Sequence, residues 1–198
     1  MERQLPMAGT DPQPNNQEPD PAQVDYQEGL RHLQHGNLSQ AANAFHNARI
    51  GFEEAGNEEG LANAYFRLGD VCLETEEYTK ALDYYEQSAT IIKKHDDLMS
   101  MLAIRKRRIA CFKGLQRYQD AIAAYLELLD TYEALRDPAS TVETLIGMGE
   151  TFELMGERDK AAEAFRTAAS IHRRYKHEKA ARELDERAAK VAAGRGNA

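Results

Sequence analysis

The feature that most constrains this chain is a repeat. Shifted against itself by forty residues, the sequence keeps register without gaps: Ala41, Ala81, Ala121 and Ala161 share one column, and four residues later Phe45, Tyr85, Tyr125 and Phe165 share another. A weaker column reads Gly29, Gly69, Ile109, Gly149, and three residues beyond it stand His32, Cys72, Phe112 and Phe152. A spacing of four puts small and large side chains on one helical face. The Ala column lets two antiparallel helices approach, and the aromatic fills the space between that pair and the next repeat. One pair cannot hide its own apolar stripe, so such units stack in arrays of three or more and close with an atypical element.

From Asp20 to Val191 the chain is rich in Ala, Leu, Glu, Lys, Arg and Gln, with apolar residues three and four apart, which predicts an all-α fold. Four units are expected at about 20–59, 60–99, 100–139 and 140–179. Within units, Gly36-Asn37, Glu76-Glu77, Gln116-Arg117 and Gly156-Glu157 occupy the turns, the first and last being good turn formers. Between units, Asn57, Asp97 and Asp137 form a column of N-caps, with His177 in the fourth copy. Pro138 fits just inside a helix start, where it costs no hydrogen bond. Ala181, Leu184, Ala188 and Val191 give a single apolar stripe, predicting a capping helix at about 180–192. Five of the six prolines lie in the first 21 residues, so residues 1–21 are expected to form a disordered tail, 22–192 the folded array, and 193–198 a flexible terminus.

The chain has 198 residues and a formal charge of −8, which argues against non-specific nucleic-acid binding. No apolar run approaches the length of a membrane span, and Met1–Asp20 lacks the apolar stretch of a secretory signal; a cytoplasmic protein is expected. Cys72 and Cys111 are too few for a disulfide framework and read as reduced thiols.

These residues resemble the tetratricopeptide repeat family. Its W-x2-L-G-x2-Y and A-x3-F signature is matched by Tyr65-x2-Leu68-Gly69-x2-Cys72 with Ala81-x3-Tyr85, and by Leu145-x2-Met148-Gly149-x2-Phe152 with Ala161-x3-Phe165. Units one and three depart from it: Glu28 and Arg108 stand where the motif has Leu, and Ile109 replaces Gly. The forty-residue period is similar to the long-repeat type found in cell-polarity scaffolds and bacterial peptide-sensing regulators. The resemblance implies a right-handed superhelical solenoid of four helix pairs plus the capping helix, with a concave wall made by the first helix of each pair. Carried onto this chain, the groove-facing columns are Tyr26, Leu30 and Leu33; Asn63, Phe66, Arg67, Asp70 and Leu73; Lys106, Arg107, Ala110 and Lys113; and Glu143, Ile146, Glu150 and Glu153. Such a wall is apolar at one end, basic in the middle and acidic at the far end, and suits a peptide or partner helix of complementary charge. The clamp with which chaperone adaptors of this family hold an acidic C-terminus is mostly missing, since Tyr26, Leu30, Arg67, Ala103 and Arg107 stand in its places.

In the run Arg105-Lys106-Arg107-Arg108, Lys106 and Arg107 are expected to face the groove, partnered by carboxylates such as Asp70 and Glu74, while the stems of Arg105 and Arg108 snorkel from columns that otherwise hold apolar groups. His32, His35 and His46 lack a carboxylate or thiol to complete a metal site, and His32 occupies an inward column, so no metal or cofactor is expected. Neither cysteine has a base at nucleophile spacing, and no phosphate loop, GxSxG or HExxH occurs, so no catalytic residue is assigned. The function expected is a non-enzymatic scaffold or adaptor that binds a protein or peptide in the groove, with no nucleic-acid or membrane partner. Two alternatives are a self-assembling homo-oligomer and a peptide-sensing regulatory subunit of another protein. Lys106→Glu combined with Arg107→Glu is expected to weaken capture without unfolding the array.

Overall fold

A computed structural model describes residues 20–194, and these hold nine α-helices and no strand. They are α1 (Pro21–Gln34), α2 (Leu38–Glu54), α3 (Glu58–Glu74), α4 (Tyr78–Ile92), α5 (Leu98–Gly114), α6 (Tyr118–Ala134), α7 (Pro138–Leu154), α8 (Arg158–Arg174) and α9 (Glu178–Ala192). A single 3₁₀ turn, Lys93–His95, follows α4. The expected tail lies outside the described residues up to position 19; Asp20 and Pro21 instead open α1, Asp20 accepting from the Ala22 amide at 3.0 Å. The capping helix starts at Glu178, a little before its expected position.

Each helix start follows from its local sequence. Asn57, Asp97 and Asp137 accept from the amides of Gly60, Ser100 and Ser140 at 2.9, 3.1 and 3.1 Å, and Pro138 occupies the first helical position of α7. The helix ends show a regularity that composition conceals. Every twentieth residue from Gly36 to Lys176 has positive φ: Gly36, Gly56, Glu76, Asp96, Gln116, Arg136, Gly156 and Lys176. At seven of these turns the following amide bonds back to a carbonyl five residues earlier, as Asn37 does to His32 at 2.9 Å, closing a left-handed helix cap. Five of the eight positions carry a side chain where glycine is the unstrained choice.

The core lies in the seams between units. Phe45 packs with Leu68 and Val71 of the next unit, Tyr85 with Ile104 and Cys111, and Phe165 with Leu184 and Ala188 of α9. All four Ala of the first column are fully buried. The glycine column explains how the rings fit: a Cβ on Gly29, Gly69 or Gly149 would stand 2.5, 2.5 or 2.8 Å from Phe45, Tyr85 or Phe165. Unit three resolves its exception differently. Ile109 is buried where the others have glycine, and Tyr125 reaches across to α7, where a Cβ on Gly147 would meet its hydroxyl at 2.6 Å.

Two substitutions test this geometry by urea denaturation. Gln116→Gly, at φ 57°, is expected to stabilise the chain by about 1 kcal/mol. Gly69→Ala is expected to destabilise it by about 1–3 kcal/mol through the clash with Tyr85, against the general helix preference for alanine. A gain from Gly69→Ala would contradict the close approach of that ring.

Candidate functional site

The odd-numbered helices form one wall, and polar side chains bridge it helix to helix. On α3, Arg67 donates to the Asp70 carboxylate at 3.0 Å and to the Tyr26 hydroxyl on α1 at 3.4 Å. From α5, Arg107 reaches the other Asp70 oxygen at 2.9 Å. The Tyr85 hydroxyl donates to that same oxygen at 3.0 Å from beneath. Asp70 is 6% exposed, so one buried carboxylate gathers two guanidiniums and a phenol from three helices. Such a carboxylate is tolerable in the interior only because charged and neutral donors surround it. Burial, then the Asp70 charge, pushes the Tyr85 phenol well above its usual range, so Tyr85 remains a donor.

A second cluster joins α7 to α9. Arg187 donates to Glu150 at 3.0 Å and to Glu153 at 2.7 Å, and its guanidinium lies 4.2 Å from the centre of the Phe165 ring. Between the clusters, Lys106 pairs with Glu143 at 3.4 Å from α5 to α7 and lies 5.6 Å from the centre of the Tyr132 ring.

The structure therefore brings Tyr26, Arg67, Asp70, Lys106, Arg107, Glu143, Glu150 and Glu153 onto one wall, while altering the expected roles of several. Asp70 is not an open groove carboxylate but the buried acceptor under Arg67 and Arg107. Glu150 and Glu153 are bridged by Arg187 rather than open. Tyr26 packs on the Phe45 and Phe52 rings, and Leu30 joins the seam of units one and two. Phe66 is half-buried against Tyr85, with Arg67 over its ring at 5.4 Å. Asn63 is exposed and Lys113 half-buried, and Lys113 has no ion pair among the described residues. Glu74, an expected partner of the basic run, likewise pairs with nothing among the described residues, whereas Asp70 does pair with it.

Sequence reasoning missed Arg187, although its signal was present. Arg67, Arg107, Gly147 and Arg187 form one forty-residue column, broken where Gly147 makes room for Tyr125. Arg105 and Arg108 point away from the wall. Arg105 meets Thr131 at 3.1 Å and Glu127 at 3.5 Å on α6, Arg108 lies 5.7 Å from the centre of the Phe112 ring, and both edge a cleft of about 610 Å³ floored by Ala89, Ile92 and Met101.

The chemistry of the remaining candidates is quiet. Burial pushes the Cys111 thiol up to about 11 and raises Cys72 as well, which suppresses the thiolate a nucleophile needs. Among the described residues no three His, Cys, Asp or Glu side chains are grouped to hold a metal ion, and no helix is long and apolar enough to cross a membrane.

Known proteins agree with this architecture. No curated protein matches the sequence significantly. The fold is similar to the apo form of RapI, with TM-score 0.71 at 14% identity over 86% of this chain and 61% of that one. It is also similar to the repeats of a Podosopora anserina putative kinesin light chain, with TM-score 0.69 at 14% identity over 81% of this chain and 78% of that one. A Rap protein complexed with Competence and Sporulation Factor aligns with TM-score 0.61 at 17% identity over 87% of this chain and 54% of that one. The chain thus spans less than two thirds of the length of both Rap proteins.

Tyr85→Phe tests the buried carboxylate. Loss of its donor is expected to cost about 1–2 kcal/mol in urea denaturation at neutral pH. Because folding holds the Tyr85 proton more tightly than the unfolded chain does, the contribution is whole below the unfolded phenol's pKa of about 10 and is lost as pH rises toward the folded value. The variant should therefore lose less stability than the parent between about pH 10 and 11; equal losses would place Tyr85 outside the network.

The Tetratricopeptide repeat profile matches residues 22–94 and 100–174, and with the stacked helix pairs described above this chain belongs to the tetratricopeptide repeat family.

Proposed function

We propose that the chain is a non-enzymatic interaction scaffold that holds a peptide in the groove lined by its odd-numbered helices. The observation that carries this reading is the bridged wall itself. Arg67 is held by Asp70 of its own helix and the Tyr26 hydroxyl of α1, Arg107 by Asp70 of α3, and Arg187 by Glu150 and Glu153 of α7 and the Phe165 ring, so their positions are fixed before any partner arrives. Charged side chains immobilised in this way lose little further freedom on binding, which favours recognition over mere solubility. The complex of a Rap protein with Competence and Sporulation Factor supports the reading only by analogy of fold.

Reversing Lys106 and Arg107 to Glu is a poor test of the groove. A glutamate at position 107 would face buried Asp70, which Arg107 now neutralises at 2.9 Å, so lost binding would be confounded with lost stability. Blocking the groove by bulk avoids this. Ala110 is exposed on α5 in the groove column, and Ala110→Trp removes no ion pair. Leu126, 51% exposed on α6, supplies a control on the opposite helix layer. With the full chain immobilised and its bound proteins quantified, Ala110→Trp is expected to reduce capture at least about tenfold, near 1.4 kcal/mol, and Leu126→Trp to leave it unchanged. The reverse pattern would move the binding surface to the even-numbered helices.

A further inference from the structure

Resting on that groove reading, we propose that its occupant is an extended peptide carrying an acidic and a basic residue about six positions apart. The two clusters on the wall carry opposite excess charge. Arg67 and Arg107 converge on Asp70, leaving one positive charge over; Arg187 lies between Glu150 and Glu153, leaving one negative charge over. Asp70 and Glu150 are eighty residues apart in the sequence, as are Arg107 and Arg187, so the same Arg-on-acid contact recurs at alternate seams, its balance inverted because Gly147 replaces the equivalent of Arg67 and Glu153 is added.

Access to the first cluster is one-sided. Asp70 is shut in, whereas the side chains of Arg67 and Arg107 keep 33% and 49% of their exposure. A guanidinium has five N–H donors in a planar fork; Arg67 uses two on Tyr26 and Asp70 and Arg107 one on Asp70, so donors remain for an incoming carboxylate. At the second cluster Glu150 and Glu153 stay 42% and 28% exposed, and each carboxylate keeps acceptor sites for a Lys or Arg of the ligand.

The seam between the clusters carries a single cation without an ion-pair partner among the described residues, half-buried Lys113. There the acid column holds exposed Ala110 and the arginine column holds Gly147, with half-buried Ile146 beside it, and the Lys106–Glu143 pair balances itself. Across α3 to α9 the wall thus runs from acid-accepting, through an apolar stretch edged by Lys113, to base-accepting. Directly packed helices lie about 8–10 Å apart and the odd-numbered ones touch one another only lightly, so clusters two seams apart are separated by at least about 20 Å. An extended chain covers that in about six residues, at roughly 3.3 Å each. A helical ligand would need about thirteen, a much longer spacing between its two charges.

A displayed library of random twelve-residue peptides, selected on the immobilised full-length chain, tests this. Selected peptides are expected to pair Asp or Glu with Lys or Arg roughly five to seven positions apart, and a synthetic representative should lose about tenfold affinity when either charge is replaced by a neutral residue. The Glu150→Gln, Glu153→Gln variant, whose far cluster becomes positive, should select peptides that carry an acid in place of the base. Selected peptides that Ala110→Trp displaces but that lack the paired charges, or an unchanged preference in the double variant, would overturn the proposal and leave the groove reading standing. Peptides that bind regardless of Ala110→Trp would overturn both.

Discussion

Everything in this molecule depends on aromatic rings buried across seams that no single unit can close. Phe45, Tyr85 and Phe165 each lie on a glycine of their own helix pair and against apolar side chains of the next. Truncating such a ring to alanine typically costs about 3–5 kcal/mol, a large part of the stability of a domain this size. Because the ring is shared, the energy belongs to the contact between neighbours, and stability is closer to a sum over seams than to the depth of one core. The capping helix fits the same logic: α9 covers the last seam with Ala181, Leu184, Ala188 and Val191 and turns a charged face outward.

The charged wall is a consequence of the same stacking. Each odd-numbered helix lies beside the next at a fixed offset, so an arginine at this repeat position reaches back to the preceding unit wherever an acid stands in the matching column. Arg107 finds Asp70 and Arg187 finds Glu150 by the same step. Tyr85 links the two layers, since its ring fills a seam and its hydroxyl ends on the carboxylate that organises the wall. Recognition chemistry and core packing therefore meet in one side chain, and a change in the seam is felt at the groove.

The sequence made some of this plain and concealed the rest for identifiable reasons. The Ala and aromatic columns announced the stack because burial restricts side-chain size there, and Asn57, Asp97 and Asp137 announced helix starts because few side chains can cap. The repeat placed turns at Glu76 and Gln116, but the left-handed backbone there and at Asp96, Arg136 and Lys176 was illegible, since the fold tolerates about 1–2 kcal/mol of strain at each and composition then gives no sign. Asp70 looked like a groove residue because periodicity reports a face but not depth; Tyr85 beneath it and Arg67 and Arg107 above it bury it. Arg187 was hidden by Gly147, which interrupts its column for the sake of Tyr125, itself displaced by Ile109. Departures from the repeat come in compensating sets, and a set spanning two units cannot be read from either alone.

The central claim is that stability is held seam by seam, and native-state hydrogen exchange of the full chain with Phe165→Ala tests it most directly. The account predicts the largest loss of amide protection in α7, α8 and α9, which flank the emptied seam, with the loss diminishing toward α1. An equal loss across all nine helices, or unchanged protection in α9, would contradict it.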